Sequence, residues 1–284
     1  MTTCIVYLLS RLDGYNAILS TGEKRIDMSL HSIKNVTNVL KLPLIIFHED
    51  LTEEWKQKIR NVYDNVTFET VNFQDNSLPF KKYKRPKGYM MMCRFFSGVM
   101  QNHEALKKYD SYIRFDDDSF LIEPFLSQDK FINTLNNSDY VFRSAFIENN
   151  SMESLFLFTK QFCYDNNLNF DNIVPTLKQR KVLKSNNIYS GIAPYNNFHF
   201  CKLSLWNHTI IKKYIDKIEE KNGCLLEGWY DANIHAMICF ILIPLINLKC
   251  SAITNFGYRH NRHFSILNNI NIVYKNNERF FPLE

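Results

Sequence analysis

The chain has 284 residues, 45% of them hydrophobic and 14% aromatic, with a net charge of +5. That length buries a large core in one elaborated domain or two small ones, and eight Gly and eight Pro exclude a fibrous or linker-rich protein. The mild positive charge suits anionic small substrates but is too weak to argue for nucleic acid, and seven Cys without a Cys-x-x-Cys pair argue for buried free thiols over a structural zinc site.

In chain order, Cys4–Leu9 reads as a buried strand, followed by a turn at Ser10–Gly14. Met28–Leu40 has apolar residues at helical spacing. Leu44–Phe47 is a second buried strand. Thr52 caps a helix through Val62, with Glu53 and Glu54 in its first turn. Val66–Phe73 alternates as a third strand. Strand–helix–strand–helix–strand is the pattern of a parallel sheet with helices on its faces. The basic run Lys81–Lys87 contains Pro86 and reads as a solvated loop, with a polyanion patch as the alternative.

A helix over Met90–Tyr109 then leads into a strand, Tyr112–Phe115. Further on, Tyr140–Ile147 reads as a strand, Ser151–Phe162 as a helix and Phe198–Leu205 as a strand. Thr209–Lys221 is helical and stops at Asn222-Gly223; Asp231–Ile241 is a helix and Leu248–Ile253 a last strand. Residues 164–190 carry no assignable pattern. No linker divides the chain, so residues 1–284 are read as one domain.

The chemistry concentrates where the Tyr112–Phe115 strand ends in Asp116-Asp117-Asp118. In open α/β sheets ligands bind beyond the carboxyl ends of the strands. Carboxylates there suit Mg²⁺ or Mn²⁺ holding a diphosphate; the plain alternative is a solvated acidic turn. The glycine motifs of Rossmann and P-loop proteins and the elbow of α/β-hydrolases are missing.

Five blocks resemble the fungal Golgi α-1,2-mannosyltransferases of glycosyltransferase family 15. Gly88–Gly98 is similar to the family's Tyr-Arg-His-Met-Cys-Arg-Phe-x-Ser-Gly, and Tyr112–Asp118 to its Tyr-Trp-Arg-Val-Glu-Pro-Asp. Tyr195–Phe200 resembles its Cys-His-Phe-Trp segment, Glu227–His235 its Glu-Arg-Trp-Gly-Asp-Ala-Pro-Val-His, and Gly257–His260 its Gly-Tyr-x-His. The resemblance implies a single GT-A-like α/β domain with a mixed, mostly parallel sheet flanked by helices. It also implies a metal-dependent glycosyltransferase moving a hexose, mannose above all, from a nucleotide-diphosphate sugar such as GDP-mannose to a glycan or glycoprotein acceptor, with residues 1–120 as a nucleotide-binding half and 121–284 as an acceptor half carrying a metal-ligand tail.

On the same basis Asp116 and His260 fall on the metal ligands, for Mn²⁺ or Mg²⁺, and Tyr89 on a residue near the sugar. One carboxylate and one imidazole fit Mn²⁺; for His260 the alternative is an ordinary exposed imidazole in a basic tail. Asp118 is the second acid of the Asp-x-Asp spacing, while Asp117 replaces a family Pro and inherits no role. Arg94 and Arg11 are candidates for phosphate contacts, with a salt bridge as the alternative. Asp231 and Glu227, beside Trp229, are the catalytic candidates: Asp231 for acceptor recognition or base work, against simple helix capping.

The family's proposed nucleophilic carboxylate falls, counting from His199, on Leu205, and Cys201–Trp206 contains no acid. A catalytically silent nucleotide-sugar- or glycan-binding relative is therefore the second reading, and a polyanion binder using Lys81–Lys87 the third. No nucleic-acid partner is expected. The apolar start lacks a signal peptide's flank and cleavage site. His235–Leu248 is interrupted by Pro244 and falls short of the roughly 18 residues that cross a bilayer. With no signal or anchor visible, the expectation favours the cytoplasm, a viral factory included, over the Golgi lumen.

Overall fold

Alternation along the first strand sets the layering. The computed structural model describes residues 1–9, 24–81, 85–123, 125, 127–148, 152–260 and 263–265. In β1 (Thr3–Leu9) every residue is buried. Cys4, Val6 and Leu8 enter one apolar cluster and Ile5, Tyr7 and Leu9 another, because successive side chains leave a strand on opposite faces. A strand buried on both faces needs helices on both sides of its sheet.

Those helices arrive as the first 75 residues predict. α1 (Arg25–Val39), β2 (Leu44–His48), α2 (Glu53–Val62) and β3 (Val66–Thr70) follow β1. The Thr52 hydroxyl accepts from the Trp55 amide at 3.4 Å, the N-cap expected there. β1, β2 and β3 pair in parallel.

The long helix expected over Met90–Tyr109 is broken. α3 (Lys87–Arg94) runs into a wider π turn (Phe95–Val99) and two short 3₁₀ turns. Gly98 marks the break: a Cβ there would lie 2.3 Å from Ile215 Cγ2. This close approach is a tertiary constraint invisible to helical periodicity.

β4 (Ser111–Phe115) and β5 (Ser119–Ile122) flank the Asp triplet, and α4 (Gln128–Asn136) follows. The strand expected over Tyr140–Ile147 is two strands in different sheets, β6 (Tyr140–Phe142) and β7 (Ala145–Ile147). At the bend Arg143 is buried and donates to the Phe256 carbonyl at 3.3 Å, and Ser144 O accepts from Tyr195 N at 2.7 Å. The unassigned stretch contains the end of α5 (Glu153–Asp165) and α6 (Val174–Gln179).

β8 (Ile192–Pro194) pairs antiparallel with β7. β9 (Phe198–Lys202) is shorter than expected, because Leu203–Trp206 turns into a helix, α7. α8 (Thr209–Glu220) ends at Asn222, which sits in the left-handed region at φ 50, and α9 (Gly223–Leu226) follows. α10 (Asp231–Met237) continues through a π turn to α11 (Ile243–Leu245). β10 (Cys250–Ala252), β11 (Gly257–His260) and β12 (His263–Ser265) close the described chain.

The main sheet has the order β10-β6-β9-β4-β1-β2-β3. β4 pairs parallel with β1, and β9 runs antiparallel between β4 and β6. The sheet is therefore mixed and mostly parallel, and draws strands from both halves of the chain. β5, β11 and β12 form a separate antiparallel sheet whose register places His260 opposite Ser119. That pairing folds the distant chain back onto the Asp triplet. All seven cysteines are free thiols and six are buried, as expected from their spacing.

Candidate active site

β4 carries its alternation into the triplet. Tyr112 faces the α3–α10 side of the sheet, and Ile113 and Phe115 the α1 side. Arg114 and Asp116 therefore leave with Tyr112, and Asp117 with Phe115. The contacts follow. Arg114 lies on the Phe96 ring at 3.4 Å and donates to Asp116 Oδ1 at 2.8 Å and to Asp231 Oδ2 at 3.0 Å. Asp117 accepts from Arg25 of α1 at 2.7 and 3.0 Å and from the Ser29 hydroxyl at 3.3 Å.

His260 completes the cluster. Its Nε2 is 2.9 Å from Asp118 Oδ1 and 3.6 Å from Asp116 Oδ2, and its Nδ1 is 2.7 Å from the Tyr195 hydroxyl. Burial opposes ionisation of Asp116, but Arg114 and His260 outweigh it and hold the carboxyl below the usual range. Burial alone would lower the His260 imidazole; Tyr195 and the two carboxylates outweigh it and raise it well above its ordinary value. For Asp117 burial wins over the pull of Arg25 and pushes the carboxyl up.

These groups edge a cavity of about 550 Å³. Arg25, Arg114, Asp116 and His260 line its charged end, with Tyr195, Asn196, Asn197 and Asp231 beside them. Arg85, Tyr89, Phe146, Glu148 and Tyr230 line the rest. Tyr89 meets Tyr230 edge-on at 5.9 Å, and Arg85 lies over the Tyr89 ring at 5.0 Å. The basic run is thus not wholly solvated: Arg85 lines the cavity, and Lys87 donates to the Asp75 carbonyl at 2.6 Å.

A buried polar network supports the cavity floor. His199 Nδ1 donates to Asn196 O at 3.0 Å, and its Nε2 faces the Tyr112 hydroxyl at 3.2 Å. His235 Nε2 donates to Phe96 O at 3.0 Å, and its Nδ1 faces the Tyr140 hydroxyl at 2.7 Å. Burial drives His199 well below the ordinary imidazole value and His235 down to about 4. Both rings are therefore neutral. Asn196 passes the order on, donating to Asp231 Oδ2 at 2.9 Å.

Among the sequence candidates, Asp116, Asp118, His260, Asp231 and Tyr89 come together here. Arg94 does not: it pairs with Glu219 of α8 at 2.7 and 2.6 Å, the salt-bridge alternative. Glu227 does not either: it is exposed, 3.5 Å from Lys221 and off the cavity lining. Arg11 lies outside the described residues. Arg25, Arg114, Glu148 and Asn197 line the cavity without having been singled out, and Arg85 was read only as part of the basic run. Arg114 was the most legible of these, since a charge inside an aromatic strand demands partners. Leu205 is buried in the apolar cluster, and no carboxylate stands there.

Two carboxylates and an imidazole at the carboxyl edge of a parallel strand are a donor set that fits Mn²⁺ or Mg²⁺. Among the described residues no three His, Cys, Asp or Glu side chains form a ready metal cage, so a cation would need oxygens from its substrate.

The fold is GT-A-like. The structure is similar to core-mannan synthase A from Aspergillus fumigatus in its Mn/GDP form (TM-score 0.72, 17% identity, 97% of this chain and 78% of that one). It is equally similar to the mannosyltransferase Ktr4p from S. cerevisiae (TM-score 0.72, 19% identity, 94% of this chain and 72% of that one). The chain belongs to the glycolipid 2-alpha-mannosyltransferase family, glycosyltransferase family 15, whose model matches residues 68–278.

Its relatives include glycolipid 2-alpha-mannosyltransferase 1 of Candida albicans, 28% identical over 63% of this chain and 41% of the relative. Another is the O-glycoside alpha-1,2-mannosyltransferase omh1 of Schizosaccharomyces pombe, 26% identical over 64% of this chain and 43% of the relative. The chain thus spans about two fifths of the length of these relatives.

Membership corrects one expectation. A cytoplasmic placement over the Golgi lumen conflicts with a family of fungal Golgi enzymes that work in the lumen. Among the described residues no helix is long and apolar enough to cross a membrane.

Proposed function

We propose that the protein is a metal-dependent, retaining mannosyltransferase that moves a hexose from GDP-mannose to a glycan or glycoprotein acceptor. The observation that carries this reading is the convergence of Asp116, Asp118 and His260 at the edge of a cavity that Arg25 and Arg114 also line. Asp116 and His260, with Asp118 beside them, would hold Mn²⁺ or Mg²⁺. The cation supplies Lewis-acid neutralisation of the departing diphosphate. The A. fumigatus relative in its Mn/GDP form supports both the cation and the nucleotide.

Residues 1–120 would then contribute the nucleotide side and 121–284 the acceptor side and the His260 tail. Arg25, aimed by Asp117, and Arg114 present fixed donors toward phosphate oxygens. In the transfer the C1–O bond to the diphosphate breaks, a C1–O bond to the acceptor hydroxyl forms, and the hydroxyl's proton passes to a base. Asp231 is the base candidate, held by Arg114 and Asn196 at the cavity wall. With Leu205 in place of the family's carboxylate, Asp231 and Glu148 are the acids of the cavity outside the metal cluster.

Calorimetry with GDP and Mn²⁺ tests the reading. Asp116→Ala and His260→Ala should each weaken Mn²⁺-dependent binding at least about tenfold. Equal, metal-independent binding in all three proteins removes the proposed site. Leu205 favours a second reading, a silent relative: tight GDP-mannose binding with neither transfer nor donor hydrolysis would establish it.

A further inference from the structure

His260 has two ring nitrogens with different neighbours. Nε2 faces the carboxylates, 2.9 Å from Asp118 Oδ1 and 3.6 Å from Asp116 Oδ2. Nδ1 lies 2.7 Å from the Tyr195 hydroxyl. A cation site at the triplet uses the first nitrogen and leaves the second without a stated role.

Tyr195 is held independently of His260. It directly follows β8, and its amide donates to Ser144 O at 2.7 Å, at the bend between β6 and β7. Its ring meets Phe146 edge-on at 5.4 Å and the His260 ring at 5.4 Å with an interplanar angle of 85°. The His260 backbone is fixed elsewhere, opposite Ser119 of β5. The two side chains thus arrive from separate sheets, and their hydrogen bond joins those sheets at the cavity wall.

The chemistry of imidazole selects a role for that bond. A neutral ring can offer the Nε2 lone pair to a cation only when its one hydrogen sits on Nδ1. The His260 side chain is only 20% exposed, so an Nδ1–H there needs an acceptor. The Tyr195 oxygen is placed to accept it. Partners on the far nitrogen fix the orientation and tautomer of ligating histidines. A phenol oxygen does this without adding a fourth carboxylate to Asp116, Asp117 and Asp118.

We propose that Tyr195 is a positioning residue: its hydroxyl oxygen accepts from His260 Nδ1–H and so holds Nε2 toward Asp116 and Asp118 as a metal ligand. The inference rests on the metal-site reading above and adds the group that orients one of its ligands.

The test uses Tyr195→Phe, which keeps the ring and removes only the hydroxyl. Calorimetry gives the Mn²⁺ Kd at saturating GDP, and the GDP Kd without metal, for wild type, Tyr195→Phe, His260→Ala and the double variant. Tyr195→Phe should raise the Mn²⁺ Kd about tenfold or more and leave the metal-free GDP Kd within about twofold. Adding Tyr195→Phe to His260→Ala should change the Mn²⁺ Kd by less than about twofold, because a residue that acts through His260 then has nothing to orient. An unchanged Mn²⁺ Kd in Tyr195→Phe overturns the inference. So does an undiminished loss in the His260→Ala background or a matching loss of metal-free GDP binding, since either makes Tyr195 a direct contact. A wild-type protein whose GDP binding ignores Mn²⁺ fails the metal-site reading instead, and the inference with it.

Discussion

Asp116 and Asp117 are adjacent in the chain and belong to opposite faces of one sheet. On the α3–α10 face, β4 and β9 contribute Tyr112, Arg114 and His199 to a buried polar network that reaches Asp231. On the α1 face the same strands contribute Ile113, Phe115, Phe198 and Phe200, all wholly buried and apolar. Asp117, emerging on that side, has Arg25 and Ser29 to hold. One face stabilises through area removed from water; the other holds polar groups in fixed orientations at some cost in stability. The candidate site lies on the second, and fixed orientation is what a reacting centre requires.

The largest effect should separate the two carboxylates. Asp116→Ala is expected to lower transfer at least about a thousandfold, read as GDP released from GDP-mannose. Asp117→Asn should lower it far less, by loosening Arg25, and comparable losses would erase the distinction between the faces. Next comes the apolar face: Ile113→Ala should cost about 2–4 kcal/mol in urea denaturation. A loss under about 1 kcal/mol would mean that face does not carry the core.

The polar face should report itself through pH. His199 and His235 are depressed in the folded state, so the unfolded chain takes up protons first. The contribution of these two rings is complete above about pH 6.5 and falls as pH drops toward the folded values, about 4 for His235, whereas His260, raised in the folded state, contributes fully below about pH 6.5 and loses that contribution as pH rises. Each ring contributes a slope of up to about 1.4 kcal/mol per pH unit. Asp116, depressed below the carboxylate range, adds its own loss only under about pH 4. Denaturation midpoints flat from pH 7 to 5 would contradict the neutral network.

Tyr112→Phe, which leaves His199 Nε2 without a donor, should cost about 1 kcal/mol. Smallest are the residues off the cavity. Arg94→Ala should lose at most about 1 kcal/mol of stability and, by calorimetry, leave the GDP Kd within about twofold. A tenfold weakening would return Arg94 to the donor site.

The sequence by itself determined the layering, the first five elements and the neighbourhood of the candidate site. Apolar alternation and a run of carboxylates at a strand end are local signals, and the ordered blocks around Tyr89, Asp116, Asp231 and His260 marked their neighbourhoods. What it left to the tertiary structure was partnership. Whether Arg94 meets a phosphate or Glu219, whether Tyr140–Ile147 is one strand or two, and whether the Gly98 helix continues past Ile215 depend on groups far apart in the chain. The Asp triplet shows the same limit. Spacing marked it as a candidate, but only pleat geometry divided it, turning Asp116 toward the cavity and Asp117 toward α1, and only the pairing of β11 with β5 brought His260 back to it. Local pattern records which groups must be buried or charged; the fold decides which of them meet.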